Sequence, residues 1–154
     1  MPNIDAINAF KEALKYMGNG YPDKALPLFT RACELDKANP FYMSYLGLAL
    51  GMVEGKWDQA EEICMQAVKL KRTQAELYLN LAEVYRLQHK KEDAIDTLKT
   101  GVTLTRRDAR LKKALSKYGL RRGPVLSFLD RKHFLNVQLG RMRYKVLKTL
   151  GKEV

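Results

Sequence analysis

Apolar residues in this chain recur at helical spacing, in stretches about one helix long that are separated by short polar or glycine-containing breaks. Residues 78–104, YLNLAEVYRLQHKKEDAIDTLKTGVTL, show the pattern: two amphipathic stretches flank a polar break at His89 to Lys91. The unit is repeated. Ala25, Ala60 and Ala94 follow one another at a nearly constant interval, as do Ala32, Ala67 and Gly101, and Leu35, Leu70 and Leu104. On the preceding stretches Ala13, Gly47 and Ala82 form another small-residue series, with Tyr16, Leu50 and Tyr85 three positions later. A period of about 34 residues, with helical patterning on both sides of a turn, predicts stacked antiparallel helix pairs. The small residues have a packing role, because two helices approach closely only where the facing side chain is Ala or Gly.

These positions make the chain similar to the tetratricopeptide repeat (TPR) family. The three repeats cover residues 4–39, 40–74 and 75–108, about two thirds of the chain, with GYPDKALPLFTRACELD, GKWDQAEEICMQAVKL and KEDAIDTLKTGVTL in their second halves. The expected fold is all-α, a TPR solenoid of antiparallel helix pairs. Its parts would be three repeats in residues 1–105 and a basic C-terminal segment in residues 106–154, made of a partial fourth repeat, a linker and an amphipathic capping helix. Several positions depart from the family pattern. The aromatic expected early in the first helix is present only as Tyr78, with Ala9 and Met43 at the equivalent places. Lys37, Arg72 and Arg106 stand where a proline commonly closes a repeat. Pro27 falls inside a second helix, where it should cost a hydrogen bond and bend the helix.

The resemblance implies a non-enzymatic interaction module or scaffold that holds a peptide or partner protein in a concave groove lined by the first helices. Carried onto this sequence, the groove positions are Ile7, Phe10, Leu14 and Met17, then Phe41, Ser44 and Leu48, then Glu76, Leu79, Asn80, Glu83 and Arg86. The apolar residues among them could equally be covered by other parts of the chain or by a second copy. Some family members grip a terminal carboxylate with Lys, Asn and Arg. The corresponding positions here are Phe10, Leu14, Tyr45, Glu76 and Asn80, of which only Asn80 has suitable chemistry, so that mode of binding is not expected.

Charge separates the last third from the rest. The chain carries a formal net charge of +11, with residues 106–154 at +12 and residues 1–105 at −1. Leu111 and Leu115 lie one repeat period beyond Leu77 and Leu81, which places ARLKKALSKYGL in register with a fourth first helix. Gly123 and Pro124 should break it, an apolar patch of Val125, Leu126, Phe128 and Leu129 follows, and Ser127 with Asp130 has capping-box spacing. Leu135, Leu139, Met142, Val146 and Leu150 then recur at helical spacing among Arg141, Arg143, Lys145 and Lys148. This basic amphipathic stretch reads as a cap for the last repeat. The alternative function is an adaptor that binds nucleic acid or an anionic membrane surface through that segment, although no nucleic-acid motif surrounds its scattered aromatics. Arg110, Lys113 and Lys117 continue the groove register and are the candidate basic contacts for an acidic ligand.

No catalytic, metal or cofactor site is expected. His89 lies in a turn and His133 among basic residues, and neither has triad or ligand spacing with Cys, Asp or Glu. The pairs Glu61 with Glu62 and Glu92 with Asp93 open second helices, where negative charge suits the helix dipole. Trp57 reads as inter-helix packing. Cys33 and Cys64, without CxxC spacing, read as reduced, buried thiols. The uncharged apolar run over residues 41–53 is too short to span a membrane, and the N-terminal stretch MPNIDAINAF lacks the features of a signal or transit peptide. The expected location is cytoplasmic, with a protein or peptide partner and self-association left open.

Overall fold

The computed structural model describes residues 3–118 and 134–149. Among them the chain forms eight α-helices and no strands. They are α1 (Ile4–Gly18), α2 (Pro22–Leu35), α3 (Pro40–Glu54), α4 (Trp57–Leu70), α5 (Ala75–Leu87), α6 (Lys91–Leu104), α7 (Ala109–Ser116) and α8 (Phe134–Thr149). The chain divides into two compact units, Met1–Gly119 and Leu120–Val154. In the first, α1 packs on α2, α3 on α4 and α5 on α6. The pairs stack through α2 on α3, α3 on α5 and α4 on α5, and α7 packs on α6 and α5.

The recurring small residues sit where pairs close up. Ala13, Ala25, Ala32, Ala60, Ala67 and Ala94 are fully buried, and Gly47, Ala82 and Gly101 are buried at equivalent places. At Gly47 an added Cβ would stand 2.9 Å from the Ala60 carbonyl oxygen and 2.8 Å from Cys64 Sγ, and at Gly101 it would stand 2.8 Å from the Tyr78 ring. The Leu35, Leu70 and Leu104 series differs, since each residue ends a second helix and is exposed. Trp57 packs over Gly51 and is half-buried, as its position suggested.

Helix ends follow local chemistry. Asn3 accepts hydrogen bonds from the Asp5 and Ala6 amides, Asn39 from that of Phe41 and Asp108 from that of Arg110, capping α1, α3 and α7. Pro27 does not break α2, which runs on to Leu35. Its ring faces solvent, and it lies near the start of the helix, so the missing amide costs one hydrogen bond without disturbing the buried face. The second unit contributes α8, on which Phe134, Leu135, Met142 and Val146 are exposed. The break expected at Gly123 and Pro124, the apolar patch of residues 125–129, the capping box at Ser127, His133 and Leu150 all lie outside the described residues.

Candidate binding groove

Polar bonds tie the first helices α3, α5 and α7 together, and α1 meets α3 through the Phe10 ring against Tyr42 and Tyr45. Asn80 Nδ2 on α5 donates to Ser44 Oγ on α3 at 3.1 Å. Both side chains are buried, so they serve the contact between helices. Tyr45 on α3 donates through its hydroxyl to Glu76 on α5, and Arg110 on α7 donates to the other Glu76 oxygen at 2.8 Å. Burial and that bond to Glu76 push the Tyr45 hydroxyl well above the usual tyrosine range. Arg110 also pairs with Asp108 at 3.2 Å. The carboxylate of Glu76 is thus held by the protein itself, and the cation that stands over it is already neutralised.

The remaining sequence-selected positions divide by burial. Ile7, Phe10, Leu14 and Met17 on α1 are half-buried, as are Phe41, Leu79 and Glu83; Leu48 is buried, and Arg86 is exposed. Phe10 sits in an aromatic cluster, with ring centroids 5.7 Å from Phe29, 4.7 Å from Tyr42 and 5.4 Å from Tyr45. The Phe41 ring carries the Lys71 ammonium 5.4 Å from its centroid. Glu83 and Arg86 form a two-bond pair at 2.6 and 2.7 Å. Lys113 and Lys117 are exposed, and among the described residues neither ammonium has a hydrogen bond or ion pair.

A cavity of about 370 Å³ opens between α5 and α7. Leu79, Ala82, Leu98 and Ala114 provide apolar walls, while Glu83, Arg86, Lys117 and Tyr118 supply its polar groups. The sequence identified Leu79, Glu83, Arg86 and Lys117 at this place. It missed Ala114 and Tyr118, because α7 reads chiefly as a run of basic residues, and it missed Leu98, whose helix belongs to the opposite side of the pair. Ser44, Leu48 and Asn80 were carried over from the family's groove positions, and the structure places them in contacts between helices. A second cavity, of about 360 Å³, lies across α4, α5 and α6 and includes Met65, Tyr85 and Asp96. Among the described residues no group of three or more His, Cys, Asp or Glu side chains is arranged to hold a metal ion, and no helix is long and apolar enough to cross a membrane.

Comparison with known proteins agrees with the fold. Residues 52–118 match the family model described as Tetratricopeptide repeat. The Sgt2 TPR domain from Aspergillus fumigatus superimposes with a TM-score of 0.64 at 18% identity, covering 86% of this chain and 93% of that one. The first TPR of Spaghetti (RPAP3), bound to the HSP90 peptide SRMEEVD, gives 0.62 at 22% identity over 77% of this chain and 96% of that one. The second TPR domain of human RPAP3, in complex with the HSP70 peptide SGPTIEEVD, gives 0.60 at 20% identity over 77% and 98%. Among curated proteins, no sequence matches. The match over residues 52–118, the regular repeat period and the stacked helix pairs together show the fold of a tetratricopeptide-repeat solenoid.

Proposed function

We propose that this chain is a non-catalytic interaction module that holds a peptide segment of a partner protein against the face formed by α1, α3, α5 and α7. One observation carries the reading: that face combines half-buried apolar side chains with an open cavity of about 370 Å³ between α5 and α7. The helix pairs supply a preorganised frame, so binding orders the peptide more than the protein. The bound peptides in the two RPAP3 structures support the same use of the fold. The groove residues are Ile7, Phe10, Leu14 and Phe41 at the apolar end and Leu79, Glu83 and Arg86 at the cavity, with Lys113 and Lys117 as basic contacts. Arg110 is a weaker contact, because Glu76 and Asp108 already hold it. A cytoplasmic setting and a cap role for residues 106–154 belong to this reading. The alternative, a nucleic-acid or membrane adaptor acting through the basic segment, finds no support in the compared structures.

Affinity capture from native lysate tests the reading, using the full chain and a Leu14→Asp/Arg86→Glu variant whose helicity is checked by circular dichroism. Protein partners should survive nuclease and high salt and be lost in the variant. Capture that disappears with nuclease, and that the variant retains, would contradict it.

A further inference from the structure

The cavity between α5 and α7 has walls and a mouth of different chemistry. Leu98 and Ala82 are almost fully buried and Ala114 is half-buried, so the interior is apolar. Its volume of about 370 Å³ is at the lower end of small-ligand sites and ample for one large aliphatic or aromatic side chain. The mouth holds two cations and one anion, Arg86, Lys117 and Glu83. Glu83 already engages Arg86 through both of its oxygens, and among the described residues Lys117 makes no ion pair. Lys113, one helical turn before Lys117, adds a further exposed cation on α7. A ligand entering here gains by burying an apolar side chain and by placing negative charge beside Lys117, whereas a cationic ligand would meet like charge.

We infer that this cavity anchors an internal acidic segment of the partner, with one large apolar side chain inside and an adjacent Asp or Glu carboxylate on Lys117. Glu83 acts as an internal competitor, since its carboxylate occupies Arg86 and limits how much ligand charge the site accepts. The proposal rests on the groove reading and specifies its ligand. It needs no free chain end, because Phe10, Leu14, Tyr45 and Glu76 stand where a clamp for a terminal carboxylate would need Lys, Asn or Arg.

The test is a random-peptide display panned on the full chain. Enriched peptides are then resynthesised with acetylated and amidated ends, and their affinities are read by fluorescence polarisation. We expect an enriched pattern of a large apolar residue next to Asp or Glu. Affinity should fall about tenfold in Ala114→Phe, which fills the cavity, and about fivefold in Lys117→Glu, and it should rise severalfold in Glu83→Gln, which releases Arg86. The last two are surface changes, so a folding defect in the first would not decide the matter. Absence of enrichment, enriched peptides without acidic residues, or affinities indifferent to Lys117→Glu and Glu83→Gln would overturn the inference. Acid-free peptides that still lose affinity in Leu14→Asp, on α1, would leave the groove reading standing. Peptides indifferent to every substitution on this face would remove both.

Discussion

The turn inside each helix pair takes a left-handed residue at equivalent places: Gly20 at φ 80°, Gly55 at φ 66° and His89 at φ 60°. Glycine adopts this conformation without a Cβ clash, whereas His89 must bear it, at a cost of roughly 1 kcal/mol. His89 is exposed, so nothing else depends on its ring. Replacement of His89 by Gly should therefore stabilise the chain by about 1 kcal/mol in urea unfolding; an unchanged or lowered midpoint would contradict this. Gly47 is the opposite case. A Cβ there meets backbone at 2.9 Å, so Gly47→Ala should lose about 1 to 3 kcal/mol despite the better helix propensity of alanine. Burial pushes the thiols of Cys33 and Cys64 up to about 12, with Asp36 and Glu34 adding to the effect at Cys33. Neither should react with a disulfide reagent at pH 8 until the chain unfolds, and prompt labelling of native Cys64 would refute its burial.

Among the elements, α2 bears an avoidable defect. Pro27 is exposed and helical, so Pro27→Ala should restore one backbone bond and raise stability by about 1 to 3 kcal/mol, measured by thermal or urea unfolding. The contact of α4 with the α5–α6 pair has a charged component. Glu61 accepts from Lys90 at 2.9 Å and from Tyr85 at 3.1 Å. Burial alone would raise the Glu61 pKa, but these bonds outweigh it and leave the carboxyl below its ordinary 4.5. A lowered folded-state pKa adds stability above the unfolded value and loses it as pH falls through the folded one. Glu61→Gln should thus cost about 1 kcal/mol at pH 7 and progressively less below pH 4.5, as urea midpoints at pH 7 and pH 3 would record. The helix pairs were legible because packing leaves a mark at every recurrence: buried Ala25, Ala60 and Ala94 had no other reason to stand one period apart. Ser44 and Asn80 were misleading for a physical reason. A polar residue at a groove register can face a ligand or a neighbouring helix, and only the 3.1 Å bond between them shows which.

In the molecule as a whole, charge and packing divide the sequence differently. The basic excess begins at Arg106, yet α7 packs on α5 and α6 and its Leu111 is fully buried, so the compact unit extends to Gly119. The mouth of the cavity carries a net positive charge, from Arg86 and Glu83 on α5 and Lys117 just beyond α7. Binding on this face should accordingly combine a salt-sensitive part from Lys113 and Lys117 with a salt-resistant part from apolar burial. Site-specific photo-crosslinking in cells locates the binding face, with a benzophenone amino acid placed in turn at Met17, Glu83 and Arg86 on the first helices and at Met65 and Asp96 around the second cavity. Partner adducts are expected from the first set and none from the second. Adducts confined to Met65 and Asp96, or equal from both sets, would contradict it.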